Sequence, residues 1–253
     1  MPCVPATASS WCFAGLRVPT DRRATGRRAL RWCDEAGEWV RPLVLPQDWR
    51  EPWDDGPPAR RWVVDFPPGA DAHAITAAGT AGQAFQRSGG RIVRRGRGAE
   101  LRIALAKCDR YLAAPAGAGP ARWRWMPAEV LPGGDLVVVA RDDEFLAGVL
   151  ASWWLAVWQR GRRRRLEVAT VRTLPLPWSP EMLRGALTRD QEERREAVVR
   201  AWRALGGGVV DAASEGDAAE ELAAAVAAAY GWPAGIGPAD GFARLEAMAP
   251  AAG

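Results

Sequence analysis

The chain has 253 residues, of which 48% are hydrophobic and 25% are charged. This length and composition allow a substantial core in one or two domains and exclude wholesale disorder. Four scattered cysteines and a single histidine, His73, argue against a cysteine–histidine zinc site, a disulfide scaffold and a histidine-dependent hydrolase, and they indicate a reducing compartment. We see no secretory leader and no apolar run of bilayer length, so we expect a soluble cytoplasmic protein without a membrane partner.

Charge is distributed unevenly along the chain. Lys107 is the sole lysine among 34 basic residues. Residues 87–110 contain eight basic and two acidic residues, and residues 160–172 contain six basic residues and one acidic residue. Residues 204–253 instead carry a net charge of −6, which leaves +10 on the remainder. This pattern predicts a polyanion-binding body beside an acidic region that does not touch the polyanion. Deleting residues 206–253 is therefore expected to leave the salt dependence of binding nearly intact.

The first half of the chain is predicted to contain short strands, loops and one helix. The first sixty residues mix tryptophan, proline and arginine with short apolar patches typical of strands and loops. Residues 61–66 form a strand candidate that Pro67-Pro68-Gly69 ends, and residues 67–99 are rich in glycine, alanine and arginine, as loops are. The spacing of apolar residues from Leu101 to Leu112 predicts an amphipathic helix.

Two further strands and a central helix are predicted next. Residues 122–126 alternate in period two, which puts Arg122 and Arg124 on one face of a strand and two tryptophans on the other. Residues 136–140 read as a buried strand. An aspartate pair then caps a helix over residues 144–159, which is apolar on nearly every side.

The remaining sequence predicts a helical C-terminal region. A loop and a short extended piece lead to Pro177, after which Ser179-Pro180-Glu181 has the features of a helix start, and the pattern runs to Leu205. A last helix covers residues 217–230 and ends at Gly231. We therefore predict an α+β (mixed α/β) body with a small sheet over residues 1–178, followed by a helical region over residues 179–253.

Motifs for catalysis are missing from the sequence. Neither Pro-Pro pair belongs to the Asn/Asp-Pro-Pro-aromatic loop that holds a flipped base in amino-methyltransferases of DNA. The glycines of residues 79–82 follow no strand, so they do not make a cofactor loop, and Lys107 fits neither a metal nuclease nor a phosphate-binding loop. We predict no catalytic residue, no cofactor site and no metal site in this chain.

The arginine run Arg162 to Arg165 has two interpretations. Runs of like charge are usually solvated loops, but guanidinium groups also contact phosphates and, as a fork, the edge of guanine. Glu167 beside the run could accept a hydrogen bond from cytosine, or pair with a neighbouring arginine. Arg122 and Arg124 could line the same groove or flank an ordinary surface. For Trp153, Trp154 and Trp158, core packing is favoured over base stacking.

Several segments, read in order, resemble one family. They are residues 40–43 (VRPL), 61–66 (RWVVDF), 110–115 (RYLAAP), 136–152 with Trp158 (LVVVARDDEFLAGVLAS), 173–177 (TLPLP) and 226–232 (VAAAYGW). In order and spacing they resemble the C-terminal target recognition region of the bifunctional type IIG/IIL restriction–modification DNA adenine methyltransferases, which depend on S-adenosylmethionine. The chain departs from that family at Ala116–Gly119 and Val168–Thr170, where the family is more polar, and at Leu155, where it has histidine.

The resemblance implies a DNA recognition module of a restriction–modification system used in phage defence. The module is not an enzyme on its own: a separate methyltransferase subunit would supply S-adenosylmethionine, base flipping and methylation, and double-stranded DNA would be the shared partner. The alternatives are a complete but diverged methyltransferase and a non-catalytic remnant with a protein-interaction role. The residues expected to contact DNA are Arg91, Arg94, Arg95, Arg97, Arg122, Arg124, Arg160, Arg162, Arg163, Arg164, Arg165, Glu167 and Arg172.

Overall fold

The computed structural model divides the chain into two units, each built from more than one stretch of sequence. The helical unit comprises residues 1–12, 114–124 and 142–253, and the sheet unit comprises residues 13–113 and 125–141. The fold is α+β, as predicted. The residues that the structure describes are 11–16, 18, 23–50, 60–66, 70–88, 97–117, 121–179, 187–206 and 216–249.

The described residues form two four-stranded sheets, and most of their residues belong to the sheet unit. The strands are β1 (Cys12–Ala14), β2 (Arg23–Ala24), β3 (Val40–Val44), β4 (Trp62–Val64), β5 (Arg110–Pro115), β6 (Arg124–Pro127), β7 (Leu131–Pro132) and β8 (Leu136–Val139). One sheet has the order β1-β8-β5-β6 and the other β2-β4-β3-β7. In the second sheet β3 pairs antiparallel with β4 and parallel with β7, so it is mixed.

Helices cover the second sheet of this unit and share its core. They are α1 (Gly26–Ala36), α2 (Ala72–Ala77), α3 (Gly79–Arg87) and α4 (Arg97–Leu105). Phe66 follows β4 and meets Phe85 of α3 edge to face, with ring centroids 4.8 Å apart. A second apolar cluster contains Leu43, Leu131 and Tyr111, whose hydroxyl donates to the Val130 carbonyl at 2.8 Å.

Buried charges in the sheet unit are satisfied by neighbouring groups. The Arg102 guanidinium binds both carboxylate oxygens of Asp65, and the Nε atom lies 2.9 Å from Oδ2. Arg41 donates to the carbonyls of Ala128 and Glu129 at 2.5 and 2.9 Å. Burial lowers the pKa of Arg41, and the charge of Asp65 opposes that shift. These arginines therefore serve the fold, since their donors are used within it.

In the helical unit, the described residues include six helices. They are α5 (Glu144–Ala151), α6 (Trp153–Gly161), α7 (Val168–Thr173), α8 (Arg189–Ala204), α9 (Asp217–Ala229) and α10 (Pro238–Met248). Helices α5 and α8 approach closely at Gly148, where an added Cβ would lie 2.8 Å from Val198. The Trp154 indole of α6 donates to the Ala223 carbonyl of α9 at 2.9 Å. No helix in the described ranges is long and apolar enough to cross a membrane.

Several elements confirm the sequence predictions. Strands β4, β6 and β8 lie within the predicted segments at residues 61–66, 122–126 and 136–140, apart from the last residue of β6. Helix α9 covers the predicted residues 217–230 to within one position, and Gly231 ends it with a φ of 73°. Glycine is favoured at that point because it adopts the left-handed conformation without steric cost.

Other elements differ from prediction. Helix α1 lies where only strands and loops were expected, and α2 and α3 occupy residues that were interpreted as loop. The helix predicted over residues 101–112 ends at Leu105, and strand β5 begins at Arg110. The helix predicted over residues 144–159 is interrupted at Ser152, whose ψ is 159°. The helix predicted from Ser179 to Leu205 is not continuous, because Thr188 is extended and caps α8, which begins at Arg189. The predicted start falls on residues 180–186, which lie outside the described residues.

The C-terminal helices belong to the same unit as α5 to α7. Leu222 and Val226 of α9 are buried, and the Tyr230 hydroxyl donates to the Pro175 carbonyl at 2.6 Å. Neither unit begins or ends at residue 178, where the domain boundary was predicted. The assignment of DNA recognition to residues 1–178 stays a prediction. Deleting residues 206–253 would remove part of this core, so that deletion cannot isolate the effect of the acidic region.

Candidate nucleic-acid interface

A short, strongly basic turn lies between α6 and α7. We call residues 160–167 the arginine turn: it begins on the last residues of α6 and ends just before Val168, the first residue of α7. Its five arginines and Glu167 are all exposed, whereas Leu166 is buried. One apolar side chain thus anchors a segment whose charged side chains reach solvent, as binding to a polyanion requires.

The backbone of the arginine turn closes α6 through a Schellman motif. The Arg164 amide donates to the Gln159 carbonyl at 2.9 Å, and the Arg163 amide donates to the Arg160 carbonyl at 3.1 Å. Arg163 therefore adopts a left-handed conformation, with a φ of 52°, at a position where glycine is usual. A non-glycine residue there stores strain of about 1 kcal/mol, and such strain is common at binding sites.

The return of the chain from the arginine turn is also held by hydrogen bonds. Leu166 and Gly117 form a two-way bridge: the Leu166 amide donates to the Gly117 carbonyl at 2.7 Å, and the Gly117 amide donates back at 3.1 Å. The Thr170 hydroxyl donates to the Arg165 carbonyl at 2.7 Å. Both ends of the turn are consequently fastened to regular structure, which limits the entropy lost when the turn binds a ligand.

The arginines of the turn differ in their partners. The Arg162 guanidinium stacks over the Trp158 ring at 4.7 Å and lies 3.8 Å from the Glu246 carboxylate. Arg164 lies 3.7 Å from the Glu167 carboxylate. Both ion pairs are solvent-exposed and contribute about 0–1 kcal/mol each. Arg163 and Arg165 form no ion pair with any residue that the structure describes, so their guanidinium groups are available to a ligand.

Glu167 brings an exposed carboxylate into the same turn. It occupies the N-cap position of α7, but its side chain makes no capping hydrogen bond. Its pairing with Arg164 matches the simpler of the two interpretations of this residue, whereas contact with a cytosine edge stays a prediction. Because the pair is half-exposed on both sides, a ligand can displace either partner at little cost.

Arg172 is used within the protein. Its Nε and Nη2 atoms donate to the Cys12 carbonyl at 3.1 and 2.6 Å. Burial raises the pKa of the Cys12 thiol to about 12, and the charge of Arg172 opposes that shift. Arg172 is nevertheless exposed, so the expectation that it contacts bases or phosphates stays a prediction.

Arg122 and Arg124 do not share an exposed face. Arg122 is exposed, whereas Arg124 is 7% exposed, and its burial and the charge of Arg122 both lower the pKa of Arg124. Strand β6 begins at Arg124, so the period-two pattern does not extend to Arg122 in the structure. Arg122 remains a candidate DNA contact, whereas the buried guanidinium of Arg124 does not line an open groove.

The other residues singled out from the sequence are not part of the arginine turn, although Trp158 stacks with Arg162. Arg91, Arg94 and Arg95 are outside the described residues, and Arg97 is the first residue of α4 in the sheet unit. Trp154 and Trp158 are buried, as core packing requires, whereas Trp153 is 38% exposed. His73 lies in α2, and no cluster of metal-ligating side chains occurs among the described residues.

Sequence reasoning missed Glu246 and the α10 helix that carries it. Glu246 is 84 positions beyond Arg162 in the sequence, and the local pattern holds no signal that joins them. The Gly237-Pro238 step, with Asp240 in the first turn, is a helix start that sequence analysis could have identified.

Comparison with known proteins shows a likeness in fold. No protein-family model matches the chain, and no curated protein matches its sequence. A solved structure of the Type IIL restriction–modification enzyme MmeI in complex with DNA matches with a TM-score of 0.61 and 16% identity. The match covers 96% of this chain and 36% of that enzyme. The chain thus has the fold of part of a restriction–modification enzyme, which confirms the resemblance at the level of fold.

Proposed function

We propose that this chain is a DNA target recognition module of a restriction–modification system. The observation that carries the proposal is the arginine turn: five exposed arginines and one exposed carboxylate lie on a segment whose two ends are held by backbone hydrogen bonds. The fold of the chain adds support, since it is that of part of a restriction–modification enzyme whose structure was solved with DNA. Double-stranded DNA is therefore the proposed ligand.

Within the arginine turn, we assign some side chains to positioning the protein on the duplex and others to reading the base sequence. Arg162 and Arg164, each beside a carboxylate, would contact phosphates and set the register on the duplex. Arg163 and Arg165, which form no ion pair in the described structure, would offer their guanidinium forks to guanine O6 and N7. Glu167 would accept from cytosine N4. Arg163 and Arg165 give up no intramolecular ion pair when they bind a base. Their binding therefore costs less free energy than binding by Arg162 or Arg164, each of which must leave a carboxylate.

The proposal assigns methylation to another subunit. The sequence has no Asn/Asp-Pro-Pro-aromatic loop that could hold a flipped base and no glycine-rich turn that leads from a buried strand into a helix. A separate cytoplasmic adenine methyltransferase would bind S-adenosylmethionine, flip the base and transfer the methyl group, while this chain selects the site. Detectable binding of S-adenosylmethionine by the isolated chain would contradict this division and favour a complete, diverged methyltransferase.

The DNA-binding part of the proposal is tested by salt dependence. The logarithm of affinity should fall linearly with the logarithm of salt concentration, at roughly 0.9 per neutralised phosphate. Replacing Arg162 and Arg164 with glutamine should reduce that slope by up to about 1.8. The matched control replaces Arg189 and Arg200, two exposed arginines of α8 that also pair with acids, and should reduce it much less. Absence of binding at low salt would refute the proposal.

Base reading is tested with Glu167→Lys in the complex with the methyltransferase. A good contact between a side chain and a base discriminates by roughly 1–3 kcal/mol, so the substitution should change the preferred base at one position of the methylated site. Sequencing of methylated DNA measures that change. The control Glu193→Lys on α8 adds the same charge and should leave the site unchanged. Base reading is contradicted if Glu167→Lys only strengthens or weakens methylation while the recognised sequence stays the same.

A further inference from the structure

Helix α10 is docked on α6 through two glycines that receive aromatic rings. A Cβ added to Gly161 of α6 would lie 2.1 Å from the Phe242 ring, and one added to Gly241 of α10 would lie 2.0 Å from the Trp154 ring. Each ring therefore occupies the space that a side chain on the facing helix would need. Leu245 of α10 is fully buried, which adds an apolar contact to this docking.

The docking brings Glu246 to the arginine turn. Phe242 and Glu246 are four residues apart on α10, and Trp158 and Arg162 are four residues apart at the end of α6, so each pair shares one side of its helix. The Phe242 and Trp158 rings lie 6.1 Å apart, and one turn further along the Glu246 carboxylate lies 3.8 Å from the Arg162 guanidinium. The ring contact thus sets the position of the ion pair.

We propose that Glu246 is an internal competitor of the DNA phosphate at Arg162. This inference rests on the proposed function, because it assumes that the arginine turn binds DNA. In the free protein the Arg162 guanidinium lies over the Trp158 ring and also has the Glu246 carboxylate 3.8 Å away. A phosphate that approaches Arg162 must displace the carboxylate or tolerate its negative charge, whereas Trp158 keeps the guanidinium in place in both states.

The competition weakens binding to any sequence alike, because phosphate contacts carry no sequence information. Both side chains are partly exposed, at 36% for Arg162 and 54% for Glu246, so the effect is that of a surface ion pair. An energy of that size corresponds to roughly a two- to fivefold change in affinity. Glu246 would thereby lower the affinity for DNA of any sequence. Base contacts would then account for a larger share of the binding energy at the recognised site.

The test uses the full chain and a fluorescently labelled duplex of random sequence, titrated at several salt concentrations. Glu246→Gln should tighten binding about two- to fivefold at low salt and increase the salt slope by up to roughly 0.9. The control Glu196→Gln removes the same charge from an exposed ion pair on α8 and should have little effect. Circular dichroism melting shows whether each variant keeps the fold.

A double-mutant cycle with Arg162→Gln identifies the residue through which Glu246 acts. If the carboxylate competes at Arg162, then Glu246→Gln should have no effect in the Arg162→Gln background. An equal effect in both backgrounds, or an equal effect of Glu196→Gln, overturns the inference while the DNA-binding proposal stands. If the wild-type chain does not bind the duplex at low salt, both the proposed function and this inference fall.

Discussion

Gly241→Ala is expected to destabilise the helical unit, because the new methyl group would overlap a ring that cannot move away. The added Cβ would lie 2.0 Å from Cζ3 and 2.7 Å from Cη2 of Trp154. Trp154 is 1% exposed, and its indole N–H donates to the Ala223 carbonyl at 2.9 Å. The ring also meets Trp232 edge to face at 5.1 Å. Any shift of Trp154 would break these contacts, so α10 itself must move.

The expected cost follows from three contributions. Overpacking of a close-packed core costs about 1–3 kcal/mol. Alanine in place of glycine within a helix stabilises the folded state by about 1 kcal/mol, which offsets part of that cost. If α10 moves off α6, the loss of Leu245 from the core costs about 1.5–3 kcal/mol in place of the overpacking. Less the gain of about 1 kcal/mol from alanine, we expect a net loss of about 0.5–2 kcal/mol in the free energy of unfolding.

Gly161→Ala provides an informative comparison on the facing helix. Its Cβ would lie 2.1 Å from Phe242, but this ring is partly exposed and can turn toward solvent. We therefore expect a smaller loss, below about 1 kcal/mol, because overpacking is tolerated where the neighbour can yield. The two substitutions are chemically the same, so the difference between them measures how firmly each ring is held.

Urea denaturation followed by circular dichroism measures both losses. Gly237→Ser is the control: Gly237 is the N-cap of α10, has nothing within 4 Å of its added Cβ, and has a φ of −77° that serine adopts readily. Serine is a good N-cap, so this variant should be as stable as the wild type or slightly more stable. A Gly241→Ala variant with wild-type stability, or one that is less affected than Gly161→Ala, would refute the reasoning.

Two further predictions concern buried groups. Arg102→Met should destabilise the sheet unit by about 2–4 kcal/mol, because it leaves the carboxylate of Asp65 buried without its main partner, and urea denaturation of the variant measures the loss. Cys12 should resist alkylation by iodoacetamide at pH 8 in the folded protein and react in urea, because burial raises the pKa of its thiol to about 12. Mass spectrometry of the labelled protein checks this. Labelling of Cys12 as rapid as that of the partly exposed Cys33 would contradict the prediction.

Elements with strong local signals were predictable from the sequence. Helix α9 has an acidic first turn, a line of apolar residues and a terminal glycine, and each of these signals acts within a few residues. The break at Ser152 has no such signal. Serine does not exclude a helix, and the interruption coincides with a hydrogen bond of its own hydroxyl to the Val149 carbonyl at 2.7 Å.

Pairing with other strands determined the secondary structure of the segment from Leu101 to Pro115. Its apolar residues fit a helix as far as Leu105, but β5 then takes the place between β8 and β6 in the first sheet. Residues 111–114 of β5 are all buried, so both faces of this strand are covered, and a strand between two neighbours pairs its backbone along both edges. These gains outweigh a weak helical period. The helices at residues 72–87 were missed for a different reason. Their alanines and glycines resemble a loop, although Asp71 caps α2 through a 2.8 Å bond to the Ala74 amide.

The exposure of the arginine turn followed from charge density alone, because a run of four arginines cannot be buried without partners. The roles of its neighbours could not be predicted in this way. Arg172 binds a carbonyl 160 positions away, and Glu246 reaches Arg162 only because α10 docks on α6. Arg124 alternates with tryptophans just as Arg122 does, yet one is buried and the other exposed. Long-range packing sets these differences, and periodicity does not record it.

Arg163→Gly separates the strain in the arginine turn from its proposed function. At a φ of 52° glycine should relieve about 1 kcal/mol of strain, while its greater freedom in the unfolded chain takes back about 0.5–1 kcal/mol. Stability should therefore stay the same or rise slightly, and affinity for DNA should fall because one guanidinium is lost. Arg163→Ala is the matched variant, since it removes the guanidinium and keeps the strain; it should lose the same DNA affinity with no gain in stability. Urea denaturation and DNA titration measure the two quantities independently. A marked loss of stability in Arg163→Gly would mean that this side chain serves the fold, and unchanged DNA affinity in both variants would remove Arg163 from the interface.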